Sequence, residues 1–275
     1  MNAFVIWDVN PVLVALGSLE VRWYGALLAG GFFLSYLTLG KIFKKEEISQ
    51  EFLDKFAFNL VIWTIVGLRL GHVLFYEPAY YFANPLEILM VWQGGLASHG
   101  AVIAIISYIL YFTHKNKIPV LWLFDRVAAV IPIAAGLVRV GNLMNSEIYG
   151  TPTTVPWAFV FVRDDLLPRH PSQIYEALVY LSLFVFFLWY YKKLAGKIPA
   201  GRFTGIILAV IFTARFFIEF VKDIQVDFEA SMFLNMGQWL SIPFVIIGIS
   251  LWIYSYQKKE IPSFQEIIKP AKKQK

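Results

Sequence analysis

Val120-Leu-Trp-Leu-Phe-Asp-Arg-Val-Ala-Ala-Val-Ile-Pro-Ile-Ala-Ala-Gly-Leu-Val-Arg-Val140 is the stretch that decides the fold. It is apolar for most of its length and long enough to cross about 30 Å of hydrocarbon, which takes roughly 20 helical residues. It is one of a series. Further runs of this kind lie near Val21 to Phe43, Phe52 to Tyr76, His99 to Phe112, Gln173 to Tyr191, Phe203 to Phe220 and Gly237 to Tyr256. The run from His99 is short for a full crossing, and Asn84 to Trp92 before it reads as an interfacial helix or as part of that span. Across 275 residues, 58% are hydrophobic and only 16% charged, with a mean hydropathy of +0.61; a soluble domain is nearer a quarter charged. The sequence therefore predicts an all-α polytopic membrane protein of about seven transmembrane helices. Residues 1–257 form one membrane domain and residues 258–275 a basic cytoplasmic tail.

Seven spans put the termini on opposite sides, and the positive-inside rule orients them. Lys41, Lys44, Lys45 and Lys55 fall in the first connection, Lys115 and Lys117 in the third, and Lys192, Lys193, Lys197 and Arg202 in the fifth. Lys258, Lys259, Lys269, Lys272, Lys273 and Lys275 follow in the tail, whereas the opposite connections carry only Arg163, Arg169 and Lys222. The N-terminus is expected outside and the C-terminus in the cytoplasm. No Lys or Arg precedes Arg22, so the positive flank of a cleavable signal is missing and the first span is expected to stay in the mature protein. The net charge of +5 sits in juxtamembrane clusters, which argues against nucleic acid. With no Cys in the chain, a thiolate metal site and a cysteine nucleophile of its own are excluded.

A charge within a bilayer costs several kcal/mol, roughly +2.5 to +3.5 on insertion scales, unless it is paired or hydrated. Given this orientation, Tyr24, Arg69, His72, His99, Arg139, Glu176, Arg215 and Glu219 all fall toward the outer side. Arg22 reads as a snorkelling cation, and the neighbours Asp125 and Arg126 as interface anchors. Arg215 and Glu219, four apart, suit either a structural ion pair or a site, and the same two readings stand for Arg69 with His72. Arg139-Val-Gly-Asn-Leu-Met-Asn-Ser-Glu-Ile-Tyr-Gly150 is harder to read as a plain loop. It sets a cation, two carboxamides and a carboxylate at a helix end, between glycines that permit tight turns. In His170-Pro171-Ser172-Gln173, Pro171 suits a helix start. A transport path needs polar groups through both halves of the membrane, and the cytoplasmic halves here are apolar. Neither His-Glu-x-x-His, Gly-x-Ser-x-Gly nor a pair of intramembrane Asp residues marks a protease.

Taken together these segments resemble the prolipoprotein diacylglyceryl transferase family. The resemblance runs from Tyr24 to Ser241 and rests most on Arg139 to Gly150. Gly94-Gly95-Leu96-Ala97-Ser98-His99-Gly100, His170-Pro171-Ser172-Gln173-Ile174-Tyr175-Glu176, Arg215 with Glu219, and Met236-Gly237-Gln238-Trp239-Leu240-Ser241 support it. Val138 and Leu143 depart from a common Gly and Phe, and Lys222 from a common Arg. The resemblance implies transfer of the diacylglyceryl group of phosphatidylglycerol to the lipobox cysteine of a prolipoprotein signal peptide, in the bacterial cytoplasmic membrane and toward its outer leaflet. No cofactor or metal is implied. Arg139 and Arg215 would bind the phosphate, since guanidinium matches it bidentately. Tyr24, Asn142, Asn145, Glu147, Gly150 and Gln173 complete the expected binding set. A thiol with a pKa of about 8.5 needs a base. His99 is the candidate; the alternative makes His99 a donor to the lipid and leaves the proton to Glu147, Glu219 or water. Glu147 and Glu219 have a second expected role, fixing the arginines.

Overall fold

The computed structural model describes residues 4–17, 19–90, 95, 97–223, 232–257 and 264. The basic tail and Gly94 and Leu96 lie outside them, except Phe264. Eight α-helices carry most of the described chain: α1 (Trp23–Lys45), α2 (Gln50–Phe75), α3 (Pro78–Ala83), α4 (Ser98–Asn116), α5 (Val120–Met144), α6 (Ser172–Lys193), α7 (Arg202–Ile218) and α8 (Met236–Gln257). α1, α2, α5, α6, α8 and Arg202–Val221, which extends α7, are long and apolar enough to cross a membrane. The chain is a mostly helical, polytopic membrane protein. α4 extends to 19 residues, well past the expected end at Phe112. Of the expected interfacial segment Asn84 to Trp92, Pro85–Leu89 forms a 3-10 turn that follows α3, and Val91 and Trp92 lie outside the described residues.

The all-α expectation needs one correction. Short strands β1 (Val5–Trp7), β2 (Val12–Leu16), β3 (Leu19–Arg22), β4 (Phe159–Phe161) and β5 (Pro168–Arg169) flank the helices. β1 pairs parallel with β4, β4 antiparallel with β5, and β2 with β3 as a hairpin. At two to five residues each they are too short to show as apolar runs or as a strand period. Arg22 therefore ends a strand, exposed beside Glu20 at 3.8 Å, rather than lying within a helix.

The chain forms two compact units, 1–39 with 125–261 and 40–124 with 262–275. In the second unit α2 packs on α4 through small residues that let the backbones approach; a Cβ on Gly100 would lie 2.7 Å from the Gly71 Cα. Arg69, buried in α2, donates Nε to the Ile88 carbonyl at 2.9 Å and Nη1 to the Gly95 carbonyl at 3.3 Å. Its Nη2 reaches the Glu87 carbonyl, and the guanidinium stacks over Tyr81. Of its two readings, Arg69 has the structural one: it ties the segment after α3 to α2.

In the first unit α7 packs on α8 and α6. Asp125, expected at the membrane boundary, is fully buried and accepts from the Gly201 N–H at 2.7 Å, the Thr204 N–H at 2.9 Å and the Thr204 hydroxyl at 2.8 Å. It satisfies amides that α7 leaves unpaired at its N-terminus. Trp7 ties β1 to the end of α5, its Nε1 donating to the Leu143 carbonyl at 2.9 Å.

Candidate active site

α5 leaves its last turn through a Schellman arrangement: the Ser146 N–H donates to the Leu143 carbonyl at 3.0 Å and the Glu147 N–H to the Asn142 carbonyl at 3.1 Å. Ser146 occupies the left-handed position at φ 56°, and Ile148 adopts φ 59° two residues later. A β-branched residue there is a steric outlier, and each such position costs about 1–3 kcal/mol. The turn is held from α6. The Ser172 hydroxyl donates to the Ile148 carbonyl at 2.8 Å, and Gln173 Nε2 to the Glu147 carbonyl at 2.7 Å. Its product is an exposed Glu147 whose Oε1 accepts from Asn142 Nδ2 at 2.8 Å and Asn145 Nδ2 at 3.3 Å.

Gly150 closes the turn. Its N–H donates to the His170 carbonyl at 2.8 Å, and the next N–H, of Thr151, to the Val221 carbonyl at 2.9 Å. A Cβ on Gly150 would lie 2.6 Å from the His170 Cβ, so backbone approach requires glycine here. This bridge to residue 222 sets the position of Lys222.

Lys222 stands in the middle of an alternating row of charges. Arg139 Nε lies 2.6 Å from Glu176 Oε2, and Glu176 Oε1 lies 3.4 Å from Lys222 Nζ. Lys222 Nζ is in turn 3.3 Å from Glu219 Oε1, which is 3.3 Å from Arg215 Nε. The Glu176 and Lys222 side chains are 1% and 6% exposed and the Arg215 side chain 37%, so the row is buried at its centre and open at the Arg215 end. Both arginines meet their glutamates through Nε, not through the paired terminal nitrogens with which guanidinium grips a phosphate. Arg139 Nη1 contacts Asn142 Oδ1 at 3.3 Å, joining the row to the Glu147 turn. At the other end Asn235 Nδ2 donates to Glu219 Oε2 at 3.2 Å. Asn235 and Gln238 cap α8 reciprocally, with Oδ1 accepting from the Gln238 N–H at 2.8 Å and Oε1 from the Asn235 N–H at 3.0 Å.

The first unit thus brings together Arg139, Asn142, Asn145, Glu147, Gly150, Gln173, Arg215 and Glu219. Tyr24 joins them at the start of α1, its Cδ2 2.9 Å from where a Cβ on Gly141 would stand, and within electrostatic reach of Glu147 and Arg139. His99 begins α4 in the second unit, its side chain exposed. Beside the site, burial pushes the Tyr149 hydroxyl up to about 12, helped by its hydrogen bond to Asp164. The Arg169 guanidinium, 2.6 Å from Asp165 and 2.8 Å from Asp223, holds the Asp165 carboxyl below its usual range. Burial also lowers the His170 imidazole.

The family model described as prolipoprotein diacylglyceryl transferase matches residues 11–254. The chain belongs to this family. It is 41% identical over 261 residues to a phosphatidylglycerol--prolipoprotein diacylglyceryl transferase of Chloroherpeton thalassium, covering 94% of this chain and 97% of that one. To proteins of the same name from Tolumonas auensis and Porphyromonas gingivalis it is 44% identical, over 93% and 92% of this chain and 99% and 95% of theirs. Within this member of the prolipoprotein diacylglyceryl transferase family, two parts of the charge row, Lys222 and Glu176, were named from the sequence without a role in the site. Lys222 shares a helical spacing with Arg215 and Glu219, at i, i+4 and i+7, and that spacing was its available signal. Glu176 follows Gln173 by one turn of α6, but its partners are 37 and 46 residues away along the chain.

Proposed function

We propose that the protein transfers the diacylglyceryl group of phosphatidylglycerol to the cysteine thiol of a prolipoprotein lipobox. The observation that carries the mechanism is the charge row, three cations alternating with two carboxylates. Its excess of one positive charge matches a phosphodiester monoanion. In the reaction the sulfur bonds to the glyceryl carbon, the bond from that carbon to the phosphate oxygen breaks, and glycerol phosphate leaves. Arg139 and Arg215 would hold the phosphate with their terminal nitrogens and stabilise the charge that grows as it departs. Glu176 and Glu219 keep the arginines in place through Nε. Tyr24, Asn142, Asn145 and Glu147 orient the headgroup glycerol. Gln173 Oε1, buried without a hydrogen-bond partner among the described residues, accepts from one of its hydroxyls. Leu178, Leu183, Phe186, Val210 and Trp252 line an apolar groove of about 580 Å³ on the helices that carry Glu176, Arg215 and Gln238, and its chemistry suits an acyl chain.

His99 is the proposed base for the acceptor thiol, supported by its exposure and its motif. The proposed topology has seven crossings with α4 as the additional one, since 19 residues span about 28 Å at 1.5 Å per residue. The N-terminus lies outside, the C-terminus in the cytoplasm, and the site toward the outer leaflet of the bacterial cytoplasmic membrane.

The test is direct. Detergent-purified protein given phosphatidylglycerol and a lipobox peptide is expected to add one diacylglyceryl mass at the peptide cysteine. A protein that stays folded yet yields no product refutes the assignment. His99→Gln with full activity across pH refutes His99 as the base.

A further inference from the structure

Two non-glycine residues in succession-but-one, Ser146 and Ile148, hold positive φ in the turn that presents Glu147. Such a turn relaxes unless neighbouring groups over-determine it. Its carbonyls at Glu147 and Ile148 are each taken by a fully buried side chain of the first turn of α6. Ser172 acts on the more strained of the two residues, because a β-branched side chain at φ 59° crowds its own backbone. The hydroxyl has a single hydrogen to donate, and at 2.8 Å it is committed to Ile148. Glu147 meanwhile keeps an exposed carboxylate whose Oε1 is aimed by Asn142 and Asn145, so a shift of the Ile148 peptide would move the carboxylate relative to both amides.

We infer that Ser172 is a positioning residue: by holding the Ile148 carbonyl it locks a strained turn that aims Glu147 at the lipid headgroup. This rests on the proposed role of Glu147 in headgroup binding. Ser172 itself touches no substrate, and its contribution is transmitted through backbone strain.

Strain supplies a test that ordinary packing does not. Steady-state transfer is measured on the full chain in detergent, with KM for phosphatidylglycerol and kcat separated and the thermal midpoint recorded in parallel. Ser172→Ala is expected to raise KM roughly tenfold, within the loss that small misplacements cause. Ile148→Gly tolerates positive φ at no steric cost and is expected to be near wild type alone and to reverse most of the rise in KM when combined with Ser172→Ala. Ser172→Thr, which keeps the hydroxyl, is expected to retain function. If Ser172→Ala alone does not fold, recovery of both folding and KM in the Ile148→Gly double variant supports the inference, and failure to recover overturns it. An unchanged KM in Ser172→Ala, or a raised KM that Ile148→Gly does not restore, also overturns it. In a Glu147→Gln background Ser172→Ala should add nothing further; a full additional effect there overturns transmission through Glu147. If Glu147→Gln by itself leaves KM unchanged, the headgroup role of Glu147 fails, whereas the rescue by Ile148→Gly still reports whether Ser172 holds the strained turn.

Discussion

Glu176 and Lys222 are ion-paired at 3.4 Å with almost no exposure of either side chain, and the other oxygen of Glu176 holds Arg139. One buried carboxylate therefore neutralises two cations from different parts of the chain. Glu176→Gln leaves both without it, and breaking a buried pair in this way costs about 3–5 kcal/mol. The expected result is a markedly lower thermal midpoint together with a fall in transfer rate; a variant with the wild-type midpoint would show that the pair contributes little.

Lys222 separates two carboxylates that would otherwise face each other across the row. Lys222→Met is expected to lower kcat/KM for phosphatidylglycerol by about a hundredfold, equal to about 2.7 kcal/mol of lost transition-state stabilisation. Lys222→Arg restores a cation with donors enough for both carboxylates and should retain most activity. Steady-state kinetics of the two variants side by side check this.

Gly150→Ala puts a methyl against the His170 Cβ and the Val221 carbonyl. Overpacking costs about 1–3 kcal/mol, and the bridge that positions Lys222 should part. Denaturation midpoints and transfer rates are both expected to fall, and more steeply than for Gly30→Ala in α1, where a Cβ meets nothing within 4 Å.

His170 titrates below its ordinary value of 6.5 because burial disfavours the imidazolium. In the window between that lowered value and 6.5 the unfolded chain binds more protons than the folded one, so stability rises with pH. As pH falls from 7.5 through this window, the thermal midpoint is expected to drop, and His170→Gln should flatten that part of the profile. Asp165 has the carboxylate sign: its depressed titration adds stability above the usual aspartate range, lost only as the pH falls below it.

Apolar length made the helices legible, because a span needs about 20 residues whatever it packs against. The short strands had no such signature; β1 pairs with β4 across more than 150 residues of sequence, and neither strand is long enough to show a period. The Arg215–Glu219 pair was readable as i, i+4, and the structure bears out the ion pair. Asp125 and Arg126 misled because neighbours on a helix look like a boundary feature, whereas Asp125 is spent on amides some 76 to 79 residues away. The Arg139–Gly150 segment announced its chemistry by composition, but its dependence on Ser172 lies in hydrogen bonds between elements, which residue type alone does not encode.

In the proposed mechanism Arg139 and Arg215 grip one phosphate while Glu176 and Glu219 hold them from behind. An experimental structure of the protein with phosphatidylglycerol tests it most directly. The expected result is the headgroup phosphate within hydrogen-bond distance, about 2.7–3.2 Å, of terminal nitrogens of both arginines, with the Nε pairs to Glu176 and Glu219 intact. A headgroup bound elsewhere, with neither arginine in contact with phosphate, would contradict it.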